Sequence, residues 1–258
     1  MSRVKEHGVA EPKISILMAT WNCAPLLANF FRSLEEQTPS DWELLILDNC
    51  SSDDLCTLVR QYQEKHPEYL IGFSSQADIG IYDAWNRGVE LARGDYLCFI
   101  GADDTFASSE SLQQLLDLTS SSAELITCRN SYFSSDGRFL RDWGFQWNWR
   151  RMRQSMNIAH PGMLVHRNLF GRFGLFDPSF KICGDYEWFL RLPPSVHSFH
   201  SQASILKIVQ AGVSHTKIDA VYAETFRAQV RHLNFIWSVG CWSLNWLKYL
   251  RRRLIGLA

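Results

Sequence analysis

Two adjacent aspartates, Asp103 and Asp104, follow an apolar run in the segment YLCFIGADDTF, residues 96–106. The run predicts a buried strand that ends in two mutually repelling carboxylates. Such a pair has three interpretations. It can belong to a solvated loop, it can act as an acid–base pair that shares one proton, or it can bind Mg²⁺ or Mn²⁺ together with substrate phosphates. The chain has no GxxxxGK[ST] loop and no GxGxxG after its first strand. A cation rather than a glycine-rich backbone would therefore neutralise bound phosphates, which favours the third reading.

The elements that position this pair alternate regularly in the first half of the chain. Apolar, β-rich runs predict strands, and stripes of apolar residues at helical spacing predict the helices between them. The predicted strands cover residues 13–20, 42–49, 68–75 and 95–101. Pro25 suits a first helical turn, Ser52 or Asp53 can cap the second helix, and Gly94 can close a helix over residues 82–93. This alternation predicts a parallel sheet with helices on both faces.

Polar side chains follow the predicted strands at one edge of this sheet. Ligands bind outside the carboxyl ends of the strands in such sheets. The groups expected there, besides the aspartate pair, are Thr20, Asn22, Asp48 and Asp78. Several loops therefore deliver polar groups, most of them acidic, to one site.

The second half of the chain is less regular. A strand is predicted over residues 124–133, a hairpin turn over 134–138 and a return strand over 139–143. HPGMLVHRNLF predicts a strand followed by the start of a helix, and GDYEWFLRL predicts a helix. No internal repeat occurs, and no domain boundary is evident before residue 215.

The composition is that of a globular protein with a full core: 258 residues, 46% hydrophobic and 21% charged. A formal net charge of −1 provides no basic field for nucleic acid. Seven cysteines without a CxxC pair favour free thiols in a reducing cytosol. The first residues contain no signal-peptide apolar region, and no run is long enough to span a bilayer. A cytoplasmic protein is expected, with peripheral association at the inner face of the cytoplasmic membrane as an option.

Four segments in series resemble the motifs of family 2 glycosyltransferases. They are ISILMATWN, SLEEQTPSDWELLILDNCSSDD, DIGIYDAWNRGVELARGDYLCFIGADD and HPGMLVHRNLFGRFGLFDPSFKICGDYEWFLRL. The resemblance extends from about Ile14 to Leu192. It implies an α/β fold of the GT-A type, Rossmann-like, with a mostly parallel central sheet flanked by helices. It also implies inverting transfer of a sugar from a nucleotide-sugar.

The resemblance assigns a role to each matching residue. Thr20 and Asn22 would line the nucleotide site, and Asp48 would accept a hydrogen bond from the base, most simply uracil. Asp78, Asn86 and Arg87 would close over the ribose and diphosphate. Asp103 would hold the ribose or the metal, Asp104 would ligate Mn²⁺ or Mg²⁺, and Asp185 would be the catalytic base. The chain departs from the family pattern at ATWN, Cys50, Ala102 and Gly184.

Some assignments have a structural alternative. Asp185 also suits a helix N-terminus, where an acid complements the helix dipole. His215 is a candidate metal or diphosphate contact, and His160 a candidate contact of the diphosphate, metal or acceptor. Either histidine could instead be structural.

The acceptor side is expected near a segment rich in tryptophan and arginine. Trp147, Trp149 and Arg151 are candidate acceptor contacts because aromatic faces stack on sugar rings and arginines pair with phosphates. The alternative is a half-buried ribbon whose aromatic residues pack on the core.

The predicted domains are a catalytic domain over residues 1–215 and a helical extension over residues 216–258. The catalytic domain divides into a nucleotide-sugar half, about 13–105, and an acceptor half, about 106–215. The extension has an apolar stripe, several tryptophans and Arg251–Arg253, which suit a helix lying in an anionic membrane surface. Packing on the core or on a second subunit is the alternative.

These inferences lead to one hypothesis. The protein transfers a sugar, most simply from a UDP-sugar, to a hydroxyl of a saccharide or lipid-linked saccharide in polysaccharide biosynthesis. An inactive sugar-nucleotide-binding scaffold and a metal-dependent phosphohydrolase are alternatives. A nucleotidylyltransferase is disfavoured because ATWNCAPL contains no glycine. The sequence does not indicate an oligomeric state.

Overall fold

The computed structural model describes residues 11–38, 41–210 and 216–254. The strands are β1 (Ile14–Thr20), β2 (Trp42–Asp48), β3 (Leu70–Ser75), β4 (Tyr96–Phe99), β5 (Thr105–Phe106), β6 (Leu125–Phe133), β7 (Phe139–Trp143), β8 (Leu164–His166) and β9 (Ser198–Val209). The helices are α1 (Ala24–Glu35), α2 (Leu55–Lys65), α3 (Ile81–Leu91), α4 (Ser111–Leu118), α5 (Trp149–Met152), α6 (Asn168–Phe173), α7 (Gly184–Leu190), α8 (Ile218–His232) and α9 (Phe235–Leu254). His215, a candidate metal contact, lies outside the described residues.

The first half forms the predicted parallel sheet, in the order β3-β2-β1-β4. β1 and β4 are buried along almost their whole length because helices cover the sheet, which explains their continuous apolar sequences. The register places Thr20 beside Asp48, and Asp48 beside Ser75. The carboxyl ends of three strands therefore meet at one edge, as the sequence predicts.

The second half makes the sheet mixed. β8 pairs antiparallel with β4 and with β6, β9 pairs parallel with β6, and β5 pairs antiparallel with β9. The expected parallel arrangement is therefore complete in the first four strands, whereas the second half combines one parallel pair with antiparallel pairs. The β6–β7 hairpin is confirmed, with the Ser134 N–H donating to the Arg138 carbonyl at 2.9 Å.

One predicted helix cap is wrong, and another contacts two helices. α3 ends at Leu91, and Gly94 instead lies against β1, where a Cβ would be 2.7 Å from the Ser15 backbone nitrogen. Asp53 lies one residue before the N-cap of α2, and its Oδ1 accepts a hydrogen bond from the Leu55 N–H at 3.4 Å. Its Oδ2 accepts a hydrogen bond from the Ala24 N–H at 2.9 Å and thereby caps α1. Local sequence could not reveal the contacts with β1 and α1, because both partners are distant along the chain.

The two C-terminal helices pack on the rest of the protein. Glu187 of α7 is fully buried and contacts Arg191 at 2.5 Å and His232 of α8 at 2.6 Å. Burial raises the pKa of Glu187, but hydrogen bonds from His232 and Arg191 outweigh it and hold that pKa below its usual range. Gln229, also buried, donates to the Arg153 and Gln154 carbonyls and to the Tyr186 hydroxyl. Among the helices described, none has the length and hydropathy needed to cross a membrane.

Candidate active site

The two aspartates after β4 face each other across Gly101. A Cβ on Gly101 would lie 2.8 Å from Asp103 Oδ1 and 3.0 Å from Asp104 Oδ2, so only glycine leaves room for both carboxylates. Asp104 is buried and accepts one hydrogen bond from the Gly101 N–H at 2.9 Å, whereas Asp103 is exposed. Burial and then the charge of Asp103 raise the pKa of Asp104 to about 8.

The two aspartates suit a divalent cation whose remaining coordination positions are filled by a bound ligand. A buried carboxylate beside a second carboxylate is stabilised in its charged form by a cation. Within the described residues, no group of three or more His, Cys, Asp or Glu side chains could hold a metal ion. Two carboxylates supplemented by phosphate oxygens are the usual arrangement for Mg²⁺.

The loop after β2 is fixed by Asp48. This buried carboxylate accepts hydrogen bonds from the Ser51 N–H and hydroxyl, from the Ser75 hydroxyl at 2.6 Å and from the Thr20 hydroxyl at 3.3 Å. Burial raises its pKa, but these hydrogen bonds outweigh burial and lower it. Hydrogen-bond donors of the protein therefore already surround the Asp48 carboxylate, which holds the loop in place. Its expected contact with the base stays a prediction.

The loop after β1 lies against the same turn. Asn22 has a φ of 49°, and its Oδ1 accepts a hydrogen bond from the Ser52 N–H at 2.8 Å. The Ser51 hydroxyl in turn accepts from the Asn22 N–H at 2.8 Å. Between Thr20 and Asn22, the Trp21 ring is 67% exposed at the edge of the sheet. These hydrogen bonds join the two loops into one surface, and the exposed Trp21 ring lies beside it.

Asp78 and Arg87 hold the loop that follows β3. Asp78 Oδ2 is 3.5 Å from Arg87 Nη2, and Asp78 Oδ1 accepts from the Gly80 N–H at 2.9 Å. Burial raises the pKa of Asp78 despite these contacts. Asn86 does not face this loop: its amide donates to the Phe176 carbonyl and accepts from the Phe176 N–H, both at 2.9 Å. The resemblance placed Asn86 at the nucleotide, whereas its contacts join α3 to the loop before α7.

Asp185 lies in the first turn of α7 with its two oxygens in different environments. Oδ1 accepts a hydrogen bond from the Tyr186 N–H at 2.8 Å and lies 3.1 Å from the Tyr82 hydroxyl, which also donates to the Ile182 carbonyl at 2.6 Å. Oδ2 lies 3.5 Å from His160 Nδ1, and the Asp185 side chain is 22% exposed. One oxygen is therefore anchored while the other has no closer partner.

His160 forms the buried side of this arrangement. Its ring packs among Phe99, Trp85 and Phe189, and its Nε2 is buried without a hydrogen-bond partner. Burial lowers the pKa of His160 even though Asp185 opposes that change, which favours the neutral ring at pH 7. The geometry is thus that of a neutral imidazole beside a carboxylate.

The backbone before Asp185 is held by α8. The carboxylate of Glu224 accepts hydrogen bonds from three successive N–H groups, those of Lys181, Ile182 and Cys183, each at 2.8 Å. Next along the chain, Gly184 packs on the Tyr82 ring, where a Cβ would lie 2.7 Å from ring carbons. This close contact explains why a glycine rather than an acidic residue precedes Asp185.

Two cavities meet at Asp185. The smaller, about 240 Å³, is also lined by His160, Tyr132 and Trp143. Burial and then the charge of Asp104 raise the pKa of Tyr132, one of its lining residues, to about 12. The larger, about 570 Å³, extends from Asp185 and Trp143 to α8 and α9. Asp185 therefore lines both a small cavity beside His160 and a larger cavity that reaches the C-terminal helices.

The predicted acceptor residues are only partly available to a ligand. Trp147 is 7% exposed and packs near Phe189, so its ring belongs to the core and is not free to stack on a sugar. Trp149 is half-buried and covered by the Arg153 guanidinium, 4.8 Å from the ring centre. The Arg151 side chain is exposed. The acceptor contacts expected at Trp147 and Trp149 are therefore better explained by core packing.

Comparison with known proteins decides the family. The profile of Glycosyl transferase family 2 matches residues 15–180. The chain belongs to this family. It is 29% identical over 183 residues to a PGL/p-HBAD biosynthesis glycosyltransferase of Mycobacterium bovis, covering 71% of this chain and 70% of the relative. It is 26% identical over 185 residues to a chondroitin synthase of Escherichia coli, covering 70% of this chain and 26% of the relative.

Solved structures establish the fold of this glycosyltransferase as GT-A. S. aureus TarS 1-349 in complex with UDP-GlcNAc superposes with a TM-score of 0.69 at 15% identity, covering 89% of this chain and 70% of that one. The mannosyltransferase PcManGT of Pyrobaculum calidifontis, in complex with GDP-Man and Mn²⁺, gives a TM-score of 0.66 at 15% identity, covering 91% and 74%. The helical C-terminal region and the mixed sheet are compatible with this fold.

Sequence reasoning about this family 2 glycosyltransferase missed several residues at the site. Tyr82 lies within the motif DIGIYDAWNRG, so the motif contained a usable signal. Glu224 carried none, since its partners are backbone groups 41–43 residues away. Trp143 belongs to the aromatic segment that the sequence singled out, but the segment gave no reason to prefer it over Trp147.

Proposed function

We propose that the protein is an inverting glycosyltransferase with Asp185 as the catalytic base. It would transfer a sugar, most simply from a UDP-sugar, to a hydroxyl of a saccharide or lipid-linked saccharide. The observation that carries the proposal is the position of Asp185 at the boundary of two cavities, with Oδ1 anchored and Oδ2 free to take a proton. A base in that place serves an acceptor on one side and a donor sugar on the other.

The donor would lie along the carboxyl edge of the parallel strands. The nucleotide base of the donor is assigned to the surface formed by the loops after β1 and β2, where the exposed Trp21 ring is available for stacking. The ribose and diphosphate extend past Asp78 and Arg87 toward Asp103 and Asp104. Mn²⁺ or Mg²⁺ held by the aspartate pair would neutralise charge on the departing nucleoside diphosphate. Two GT-A neighbours were crystallised with Mn²⁺, which supports a divalent cation here.

Catalysis by the chain's own residues follows from the contacts of Asp185. The Tyr186 N–H orients the carboxylate, the Tyr82 hydroxyl lies beside the same oxygen, and Oδ2 accepts the proton of the attacking hydroxyl. Attack opposite the leaving group inverts the anomeric centre, so an α-linked donor gives a β-linked product. Neutral His160 lines the wall beside Oδ2 and adds no positive charge that would weaken the base.

The relatives support a glycan-building reaction. Two relatives in the comparison are named for biosynthetic reactions, the mycobacterial PGL/p-HBAD biosynthesis glycosyltransferase and the chondroitin synthase. The same class of reaction is proposed for this chain, and experiments are needed to identify the donor and acceptor sugars. Saccharides and lipid-linked saccharides are the acceptor classes to test first.

The decisive experiment combines binding with turnover. Wild type should bind UDP in the presence of Mn²⁺, measured by calorimetry, and consume at least one of a panel of UDP- and GDP-sugars when saccharide acceptors are present. Asp185→Asn should keep UDP affinity and lose transfer by about 10³-fold or more, because the base is removed while its volume is kept. Asp219→Asn, at an exposed position in the first turn of α8, is the matched control.

Other outcomes would assign another function. Full transfer by Asp185→Asn would refute its role as base. Binding of UDP without turnover of any donor would indicate a scaffold. Release of free sugar or phosphate that never depends on an acceptor would indicate a phosphohydrolase.

We further propose that α9 contacts an anionic membrane surface. Its apolar residues Ile236, Leu244 and Leu247 are each at least 60% exposed, and the sequence continues into Arg251–Arg253. Apolar and basic groups on one helix favour binding to anionic lipid. A lipid-linked acceptor would then lie near the same surface.

A further inference from the structure

The larger cavity at Asp185 has walls from three separate parts of the chain. Trp143 comes from the β6–β7 hairpin, Tyr186 from α7, and Tyr222 with Asn245 from the two C-terminal helices. Its volume of about 570 Å³ is within the usual range of small-molecule pockets, about 300–1,000 Å³. The cavity is therefore large enough for a ligand and is incomplete without α8 and α9.

We propose that this cavity, which extends from Asp185 to the C-terminal helices, binds the acceptor as a pyranose ring stacked on Trp143 and Tyr222. The proposal rests on the proposed function, because it names the acceptor class of the same site. It assigns the helices after residue 215 to acceptor recognition.

The chemistry of the lining matches a sugar. A pyranose presents a flat face of C–H groups and an edge of hydroxyls, so it needs an aromatic surface and several hydrogen-bonding groups. Trp143 and Tyr222 are half-buried, each with part of its surface open to solvent. Thr225, Ser155 and Asn245 supply neutral polar groups around them. Asp185 contributes the only carboxylate among the lining residues, at the end of the cavity where a reacting hydroxyl would lie.

The C-terminal helices hold these groups by defined contacts. The Tyr222 hydroxyl donates to the Asn245 carbonyl at 3.1 Å, and the Asn245 amide donates to the Gln154 carbonyl at 3.0 Å. The Tyr222 ring packs edge-on against Trp246 at 5.3 Å. These contacts fix the aromatic wall before a ligand binds, which lowers the entropy lost on binding.

The test uses the full chain and three saccharide probes. Saturation-transfer NMR would be recorded with methyl β-D-glucopyranoside, methyl α-D-mannopyranoside and N,N′-diacetylchitobiose, each in the presence of UDP and Mg²⁺. At least one probe should receive saturation on its ring protons. Trp143→Ala and Tyr222→Ala should each weaken that probe's affinity about tenfold or more through loss of the stacked ring.

Matched controls separate the cavity from its surroundings. Phe139→Ala, at a 54% exposed position of β7, should leave probe affinity unchanged. Ser155→Trp places a bulky ring at the exposed rim of the cavity and should block the probes without disturbing the core. This variant tests the proposal even if an alanine variant fails to fold.

The outcomes also distinguish this inference from the proposed function. Undiminished saturation transfer in both Trp143→Ala and Ser155→Trp, or no transfer to any probe, overturns the cavity assignment. UDP affinity, measured by calorimetry on the same samples, should not change in any variant. Failure of wild type to bind UDP would instead count against the proposed function, whereas probe binding would still report on the cavity.

Discussion

Replacing Glu224 with glutamine should disturb the site from a distance. Glu224 belongs to α8 and does not line either cavity at Asp185. Its carboxylate accepts three backbone N–H groups at 2.8 Å, from residues immediately before the α7 helix. Glutamine keeps the length of the side chain but replaces one acceptor oxygen with an NH₂ group and removes the charge.

The size of the effect follows from these hydrogen bonds. Oε2 accepts from Ile182 and Cys183, and Oε1 accepts from Lys181. A hydrogen bond to a charged group contributes about 1.5–3 kcal/mol, and glutamine retains at most the bonds to one oxygen. Solvent reaches this half-buried side chain, so we expect the total loss to equal that of about one such hydrogen bond, about 2–3 kcal/mol. For a chain of this length, that loss lowers Tm by roughly 4–12 °C.

The same change should reduce catalysis. A displacement of about 1 Å in a reacting group can cost about 10²-fold in rate. We therefore expect kcat to fall about 10- to 100-fold at 20 °C, where the variant remains folded, with UDP affinity unchanged. Glu224→Asp should recover part of the loss because it restores the charge.

Thermal unfolding, UDP calorimetry and transfer rates would be measured on Glu224→Gln and on a control. Glu90→Gln, at an exposed position of α3, makes the same chemical change away from the site. If Glu224→Gln matched this control in both Tm and kcat, the reasoning that α8 positions Asp185 would be refuted. A fall in Tm with no change in kcat would limit Glu224 to a structural role.

Three further predictions concern the aspartate pair and α9. The raised pKa of Asp104 means that the folded state holds a proton that the unfolded state releases above about pH 4. Stability of the metal-free protein should therefore fall by up to about 1.4 kcal/mol per pH unit between pH 4 and pH 8, and urea unfolding should show no such slope in Asp104→Asn. Gly101→Ala should weaken Mn²⁺–UDP binding about tenfold or more in calorimetry by displacing both carboxylates, whereas Gly171→Ala, which has open space, should not. Ile236→Glu should reduce sedimentation with phosphatidylserine vesicles, and unchanged sedimentation would argue against the membrane contact.

The polar edge of the parallel strands was largely predictable from sequence. Its strands are continuous apolar runs, and its polar residues follow them directly, so a parallel arrangement places Thr20, Asp48 and Asp104 at one edge without further information. The details were not predictable. Asp53 and Asn86 bind backbone groups 29 and 90 residues away, and local sequence carries no trace of such partners.

The second half of the chain was less predictable for a physical reason. β9 begins with SFHSQAS, which has neither continuous apolar character nor strict alternation, and its residues are mostly half-buried. The strand is stabilised by pairing with β6 and β5 rather than by its own pattern. Similarly, the spacing of Trp143, Trp147 and Trp149 gave no indication of which ring enters the core, because that depends on α7 and the C-terminal helices.

The position of β9 between β6 and β5 has a consequence for biosynthesis. On the ribosome, the four parallel strands are complete once residue 99 has emerged, but β4 lacks its neighbour β8 until residue 166. β5 has no strand to pair with until β9, residues 198–209, has also emerged, roughly 5–20 s after residue 99 at usual elongation rates. During that interval the nascent chain presents an open strand edge, a known route to aggregation. Fragments that stop near residue 105 should therefore be unsuitable for studies of nucleotide binding. Chaperones that bind nascent chains at the ribosome should improve the yield of the full chain.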